Sequence, residues 1–229
     1  MPKMLLENFQ KIQNRIIDFK NNKKYRAIYE EFKDYTIIPK ETYIDNLILA
    51  DIYRKVDGAI VECGVWRGGM IAGIAKLFSD QRDYYLFDSF EGLPQARDVD
   101  GEDTIQWQKD QDNTMKAEID FAQKAMRLSG TRNYHFIKGW FKDTLPKFKM
   151  DTKIAILRLD GDLYDSTMDC LTYLYPFLSD DGIIIVDDYY FWEGCTKAVH
   201  DYLSKHQLCS RLRQFGCSVC YLIKKDKKI

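Results

Sequence analysis

The 229-residue chain has little net charge, few histidines and no long apolar run. Lysine and arginine number 34 and aspartate and glutamate 35, which argues against a protein that binds nucleic acid through its phosphates. Apolar runs such as GIIIV are far too short to span a membrane. The N-terminal MPKMLLENFQKIQNRI mixes charges into its apolar stripe, unlike a signal peptide. We therefore expect a cytoplasmic protein that binds neither nucleic acid nor membrane.

The six cysteines and three histidines do not form a zinc motif. Cys217 and Cys220 make the only CxxC, and no second pair of ligands is spaced to complete a zinc site. In a chain without an export signal, disulfides are not expected either. We assign the cysteines a structural role.

Apolar residues make up 45% of the chain, enough for a full hydrophobic core. Their spacing predicts three helices, over 4–20, 24–34 and 42–56, and then strands that alternate with helices. The predicted strands are 59–63, 83–88, 134–139, 154–160, 182–188, 208–214 and 217–224, and the later helices are 69–79, 114–129, 164–178 and 195–206. The middle strands are continuously apolar, as in a parallel sheet covered on both faces. The predicted fold is α/β, a doubly wound, mostly parallel seven-stranded sheet with N-terminal helices.

Two of the apolar strands end in pairs of aspartates. IAILRLDGDLYDST carries Asp160 and Asp162, and GIIIVDDYY carries Asp187 and Asp188. Ligands bind outside the carboxyl ends of strands in such sheets, so both pairs lie at the expected ligand-binding edge. Asp160, Asp187 and Asp188 could bind Mg²⁺, although oxygen ligands do not separate Mg²⁺ from Mn²⁺. Asp162 could then take a proton from a hydroxyl; the alternative is that these acids cap the helices that follow.

The first strand runs into a glycine-rich turn, VECGVWRGGM. Gly64, Gly68 and Gly69 permit a tight turn and a close ligand, but the spacing is not the GxGxxG of dinucleotide-binding folds. Glu62 would repel a pyrophosphate and would suit an ammonium group, such as the one in S-adenosylmethionine. Asp88, at the end of the second strand, could accept hydrogen bonds from both ribose hydroxyls. The alternative is that both acids are helix-capping or loop residues.

Two further segments carry open predictions. The acidic, polar stretch 91–113 is predicted to be a long loop, and loops of this length serve as lids, binding loops or mobile segments. Four aromatic residues, 189–192, follow the second aspartate pair directly. They either stack on a sugar ring or pack the edge of the sheet.

Five motifs, in this order, resemble the macrocin O-methyltransferase (TylF/MycF-type) family: VECGVWRGGM, FDSFEGLP, KGWFKDTLP, LRLDGDLYDST and GIIIVDDY. The resemblance covers roughly residues 35–225. It implies an enzyme that uses S-adenosylmethionine and Mg²⁺ to methylate a hydroxyl of a sugar or glycosylated small molecule. It also implies a division into an N-terminal helical segment, 1–57, and a methyltransferase domain, 58–229. The N-terminal helices could pair two subunits into a homodimer.

The resemblance also implies roles for individual residues. Asp160, Asp187 and Asp188 would bind the metal, and Asp162 or Asp160 would be the general base. YTIIPKETYIDNL would close over the methionine end of the cofactor. The residues expected at the cofactor are Thr36, Ile37, Glu62, Gly64, Arg67, Gly68, Gly69, Asp88, Ser89, Gly139, Trp140 and Asp160.

Three other functions compete with this one. LDGDLYDS is similar to the nucleophile motif of haloacid-dehalogenase phosphatases, but Tyr164 stands where that motif has Thr or Val. Two nucleotide-like strands also precede it, whereas the phosphatase nucleophile strand normally opens the domain. A catechol-type O-methyltransferase would use the same metal chemistry on an aromatic diol. A binding or scaffolding subunit is the non-catalytic alternative.

Overall fold

The computed structural model describes residues 23–111 and 115–224. Seven strands form one sheet in the order β3-β2-β1-β4-β5-β7-β6, and β7 runs antiparallel to both of its neighbours. The strands are β1 Ala59–Cys63, β2 Tyr84–Asp88, β3 Tyr134–Lys138, β4 Ile154–Leu159, β5 Leu178–Val186, β6 Arg213–Phe215 and β7 Val219–Ile223. This is the predicted mostly parallel, doubly wound α/β sheet.

Helices cover both faces of the sheet. They are α1 Lys23–Phe32, α2 Lys40–Ile52, α3 Gly69–Phe78, α4 Glu102–Asp110, α5 Ile119–Ser129, α6 Phe141–Thr144, α7 Tyr164–Leu174 and α8 Glu193–Lys205. Successive strand residues point to opposite faces. On β1, Ile60 therefore packs into the core formed with α1, α2, α3 and α5, whereas Val61 packs into the core formed with α7 and α8. Both cores are buried, which is why the middle strands read as unbroken apolar runs. None of the described helices combines the length and apolarity that crossing a membrane requires.

The strand order reverses between β1 and β4, which pair in parallel at the centre of the sheet. Glu62 and Arg158 are direct partners in this pairing. The crevice at such a reversal, outside the carboxyl ends of the strands, is where doubly wound folds bind ligands. The fold therefore predicts a ligand-binding site at the carboxyl ends of β1 and β4.

Most predicted elements are present, with shifted ends. The strand predicted over 182–188 begins earlier, at Leu178, and stops at Val186; Asp187 and Asp188 open a 3₁₀ turn, Asp187–Tyr190, instead of ending the strand. The helix expected from about 114 begins at Ile119, and residues 115–118 are not helical. The strand predicted over 208–214 is wrong for most of its length, because β6 covers only Arg213–Phe215. The helix predicted over 4–20 lies outside the described residues.

The segment predicted as a structureless loop, 91–113, contains regular structure. A 3₁₀ turn, Asp98–Asp100, leads directly into α4. We call residues 91–111 the lid segment. It packs beside the carboxyl edge of the sheet, since Trp107 on α4 meets Trp192, which follows the Asp187–Tyr190 turn, with ring centroids 4.9 Å apart.

Candidate active site

The glycine turn after β1 packs directly against the end of β4. Gly64 has φ +89°, and a Cβ there would overlap the carbonyl oxygen of Asp160. The Asp160 N–H donates to the carbonyl of Cys63 at 2.8 Å, which fixes the two strand ends side by side. Only glycine fits this approach, because any side chain would push the end of β4 away.

The segment before α2 lies against the same turn. A Cβ at Gly69 would overlap the carbonyl oxygen of Tyr35, so the start of α3 packs directly on the Tyr35–Thr36 backbone. The Tyr43 hydroxyl donates to the Gly69 carbonyl at 2.8 Å, and Thr36 accepts the N–H of Ile38 at 3.1 Å. Thr36 and Ile37 are therefore held beside the glycine turn and line the adjoining cavity.

Asp88, at the end of β2, is bonded to the backbone of both adjoining turns. Its Oδ2 accepts the N–H groups of Val65 and Trp66 at 2.6 and 2.8 Å, and its Oδ1 accepts the Phe90 N–H at 2.6 Å. Burial raises the pKa of Asp88, and these three donors act against that rise. A carboxylate has about four acceptor positions, so Asp88 keeps little capacity beyond these bonds. Asp88 therefore has a structural role in both turns, which agrees with the alternative that it is a loop residue.

Glu62 and Arg158 form a fully buried ion pair beneath the crevice. Arg158 Nη1 lies 3.0 Å from Glu62 Oε1, and both side chains are 1% exposed. Glu62 Oε2 is buried without a hydrogen-bond partner among the described residues. Burial raises the pKa of Glu62 to about 8, although Arg158 acts to lower it. An unpartnered buried carboxylate oxygen is costly, and a cationic group from a ligand would satisfy it.

Asp160, Asp187 and Asp188 converge as predicted. Each offers one carboxylate oxygen to a group whose members lie within 4.8 Å of one another. The 3₁₀ turn makes this convergence possible, because it presents two consecutive residues to one side where a strand would point them apart. Burial raises the pKa of Asp187 to about 6, and that of Asp188 lies well above its ordinary value. These three carboxylate oxygens lie close together in spite of their mutual repulsion, and such a set is a suitable ligand group for a hard divalent cation.

Asp162 stands between these carboxylates in a strained conformation. Its φ is +56°, and its N–H donates to Asp188 Oδ2 at 2.9 Å. Burial raises the pKa of Asp162 to about 7, with the charges of Asp160 and Asp187 adding to the rise and a hydrogen bond from the Trp192 side chain opposing it. A carboxyl group with a pKa near neutrality is suited to proton transfer.

These groups surround one cavity of about 680 Å³, within the range of small-molecule sites. Of the predicted residues it is lined by Thr36, Ile37, Glu62, Gly64, Gly69, Asp88, Ser89, Trp140, Asp160, Asp162, Asp187 and Asp188. Three predicted residues do not line it: Arg67, Gly68 and Gly139. The Arg67 guanidinium instead lies over the rings of Trp66 and Phe121, at 4.5 and 4.9 Å from their centroids.

The four aromatic residues 189–192 have two different roles. Phe191 and Trp192 line the cavity, and Phe191 is 68% exposed. Tyr189 and Tyr190 pack edge to face with centroids 5.0 Å apart, and the Tyr189 hydroxyl hydrogen-bonds His200 Nε2 at 2.9 Å. Only the second half of this set is therefore available for stacking on a ligand.

Sequence reasoning missed two buried charged residues of this site. Arg158 is the first, although a charge inside the apolar run IAILRL was a visible signal. Asp100 is the second. It is buried at 2% exposure, lines the cavity, and accepts the backbone N–H groups of Tyr164 and Arg97 at 2.7 and 2.8 Å. It thereby ties the lid segment to the start of α7.

Comparison of the fold places the chain among α/β proteins with the methyltransferase fold. The solved structure of the O-methyltransferase NovP aligns with a TM-score of 0.72 and 32% sequence identity, covering 83% of this chain and 82% of that one. The family model described as Macrocin-O-methyltransferase (TylF) matches residues 6–224. The chain belongs to the macrocin O-methyltransferase (TylF) family, as the five motifs predict.

Two curated relatives carry more specific names. Demethyldecarbamoylnovobiocin O-methyltransferase of Streptomyces niveus is 39% identical over an alignment of 173 positions that covers 70% of this chain. The 8-demethyl-8-(2,3-dimethoxy-alpha-L-rhamnosyl)-tetracenomycin-C 4'-O-methyltransferase of Streptomyces olivaceus is 36% identical over an alignment of 171 positions that covers 72% of this chain. In both comparisons the matched region spans 64% of the relative's own length.

Proposed function

We propose that the protein is an O-methyltransferase that uses S-adenosylmethionine and a divalent cation, Mg²⁺ or Mn²⁺, to methylate a hydroxyl of a sugar or glycosylated small molecule. One observation carries this proposal: a buried Glu62 oxygen that has no hydrogen-bond partner within residues 23–111 and 115–224 lines the same cavity as the Asp160, Asp187 and Asp188 cluster. The first fits the ammonium of an amino-acid moiety and the second fits a divalent cation. The family match favours this function over the phosphatase alternative.

The cofactor would lie across the ends of β1 and β2. Glu62 Oε2 would accept the ammonium, and the methionine moiety would lie in the part of the cavity lined by Gly64 and Gly69. Trp140 lines the same cavity and would border the adenine, and Ser89 and the remaining acceptor capacity of Asp88 would face the ribose. Thr36 and Ile37 would cover the methionine end. S-adenosylmethionine supplies the methyl group when bound.

Asp160, Asp187 and Asp188 would hold the cation, whose positive charge lowers the pKa of a neighbouring hydroxyl. Arg158 Nη1 donates a hydrogen bond to Asp160 Oδ2 at 2.6 Å, whereas Nη2 lies 2.5 Å from Asp187 Oδ1 as an ion pair that lacks hydrogen-bond geometry. Both contacts restrict where the two carboxylates can lie. Asp162 would remove the proton of the acceptor hydroxyl. Its position next to Asp188 and its pKa near 7 fit that role. Most of the remaining rate acceleration would come from positioning the two reactants.

The acceptor would bind on the side of the lid segment. The name of one relative includes a rhamnosyl group, and Phe191 and Trp192 offer faces on which a sugar ring could stack. Nine carboxylates and two cationic side chains line the cavity: Glu62, Asp88, Asp100, Asp160, Asp162, Asp165, Asp169, Asp187 and Asp188 against Lys142 and Arg158. Burial raises the pKa of Glu62 to about 8 and that of Asp188 well above its ordinary value, but the other carboxylates still outnumber the cationic side chains. This excess of negative charge favours a neutral acceptor over one that carries phosphate.

The cytoplasmic location and the homodimer stay predictions. Of the N-terminal helices that could pair two subunits, the one predicted over 4–20 lies outside the described residues. Sedimentation equilibrium of the full chain would test the dimer.

The first experiment is calorimetric titration with S-adenosylhomocysteine, with and without Mg²⁺, on the wild type and on Glu62→Gln. We expect the wild type to bind and the substitution to weaken binding, because Gln offers only a neutral amide to the ammonium. Arg82→Lys, at the opposite edge of the sheet, is a control that should bind like the wild type. Absence of wild-type binding in both conditions would contradict the proposal, and hydrolysis of p-nitrophenyl phosphate would then test the phosphatase alternative.

A further inference from the structure

Arg158 is a fully buried cation at the point where the two halves of the site meet. It lies on the central strand β4, in register with Glu62 on β1 and Ile185 on β5. Its side chain is 1% exposed. A buried guanidinium carries a large desolvation cost, so its position requires partners that offset that cost.

Its partners come from both halves of the site. Nη1 contacts Glu62 Oε1 at 3.0 Å and Asp160 Oδ2 at 2.6 Å, and Nη2 lies 2.5 Å from Asp187 Oδ1. Glu62 is the residue proposed to bind the cofactor ammonium, whereas Asp160 and Asp187 are proposed to bind the cation. One planar side chain thus contacts carboxylates from the ends of three different structural units: β1, β4 and the turn after β5.

Without the positive charge of Arg158, the carboxylates of Glu62, Asp160 and Asp187 would repel one another. The guanidinium lies close to all three, and its charge interacts favourably with each of them. The guanidinium carries its N–H donors in a rigid planar arrangement, so it can bind carboxylates on two sides at the same time. Lysine offers the same charge at a single point and cannot bridge Glu62 and Asp187 in the same way.

We infer that Arg158 is a positioning residue that holds the cofactor carboxylate and two metal carboxylates in one arrangement, so that cofactor binding and cation binding both depend on it. This inference rests on the proposed function. A residue that served the cofactor alone would not need to contact Asp187, and one that served the cation alone would not need to contact Glu62.

The test compares Arg158→Lys with the wild type in two binding assays that do not require turnover. S-adenosylhomocysteine binding is measured by calorimetry in metal-free buffer, and Mn²⁺ binding by electron paramagnetic resonance of the free ion without cofactor. We expect both affinities to fall by about 10- to 100-fold, the usual effect of removing a residue that orients metal ligands. Circular dichroism melting should show that the variant is folded.

Arg82→Lys is the matched control. Arg82 donates to the carbonyl groups of Gly58 and Arg54 at the amino edge of the sheet, each at 2.7 Å, so the same exchange there should leave both affinities unchanged. A folded Arg158→Lys that loses neither affinity, or only one, overturns the inference. A wild type that binds neither ligand overturns the proposed function instead.

Glu62→Gln keeps the inference testable if Arg158→Lys does not fold. Without the charged Glu62 partner, one side of the Arg158 guanidinium is no longer fixed, so Arg158 holds Asp160 and Asp187 less well in the arrangement proposed to bind the cation. We expect Mn²⁺ affinity in Glu62→Gln to fall by about tenfold, at the low end for such indirect contacts. Unchanged Mn²⁺ affinity in this variant would show that the two halves are independent and would overturn the inference.

Discussion

Asp162 has a backbone conformation that few aspartates adopt. A φ of +56° costs on the order of 1–3 kcal/mol in a non-glycine residue, and it persists only where neighbouring contacts impose it. Here the Asp162 N–H is held by Asp188, and the Leu163 N–H donates to the Gly161 carbonyl at 2.5 Å. The strained turn brings the Asp162 carboxyl group back toward the aspartate cluster, where a residue in extended conformation would lead away from it.

Asp162→Asn tests the role of this carboxyl group. We expect kcat to fall by about 100- to 10,000-fold, the usual contribution of a general base, while affinity for S-adenosylhomocysteine stays near the wild-type value. Steady-state methyl transfer and calorimetry measure the two quantities. Asp201→Asn, an exposed acid paired with Lys197 on α8, is the control. Full activity of Asp162→Asn would rule out Asp162 as the base.

Asp88 is expected to matter for stability as much as for binding. Asp88→Asn places an NH₂ group against either the Val65 and Trp66 donors or the Phe90 donor, and leaves buried N–H groups without an acceptor. We expect unfolding free energy to fall by about 1–3 kcal/mol, measured by urea denaturation. Glu91→Gln, on the exposed side of the same turn, should leave stability near the wild-type value. An equally stable Asp88→Asn would contradict this account.

The aspartate cluster could be predicted from the sequence because each acid directly follows a recognisable apolar strand. The fixed geometry of parallel strands then brings Asp160, Asp187 and Asp188 to one edge. Arg158 was missed because its contacts depend on strand register, which the apolar pattern does not give. The three backbone bonds of Asp88 were missed because they depend on the path of two turns.

At the scale of elements, the lid segment is where prediction and structure differ most. Its helix α4 has few apolar residues, and Thr104 is its one buried residue, so the spacing of apolar residues gave no helix signal. The segment is instead fixed by individual contacts. Asp100 bonds the start of α7, Gln108 bonds the backbone of Ala96 and Pro94, and Arg97 pairs with Asp165.

Asp100→Ala should loosen the lid segment without unfolding the domain. It removes two acceptor contacts worth about 1 kcal/mol each, so amide exchange within α4 should accelerate by about tenfold or more. The KM for the acceptor should rise, whereas cofactor affinity should change little. Hydrogen exchange with mass spectrometry measures the first effect.

Asp98→Ala is the matched control for that experiment, because Asp98 lies two residues away in the same turn and is exposed. It should exchange like the wild type. Equal exchange rates in Asp100→Ala and the wild type would show that other contacts hold the lid segment.

At the scale of the whole molecule, the sheet and its order follow from the alternation of apolar strands and helices. The parallel strands were predicted to within a residue or two, except β5, which begins at Leu178 because SDDG in its first half carries no apolar pattern. The short edge strand β6 was misplaced because three residues are too few to show a period.

The charge of the cavity as a whole predicts the kind of acceptor. We expect a neutral glycoside to be methylated with kcat/KM at least about tenfold higher than the same sugar attached to a nucleoside diphosphate, because the acidic lining repels phosphate. Raising the salt concentration should reduce this difference in kcat/KM, because ions screen the repulsion between the carboxylates and the phosphates. A preference for the nucleotide-linked sugar at low salt would contradict this prediction.

Two glycines near the cavity cannot be replaced by larger residues. Gly64 touches the Asp160 backbone, and a side chain at Gly194 would overlap the Asp100 carboxylate, so neither position has space for a side chain. Leu93, Pro94 and Phe191 line the cavity and are not fully buried, whereas Gly194 lies outside the cavity lining. A mutant library aimed at new acceptors would therefore randomise these three residues and keep glycine at positions 64 and 194.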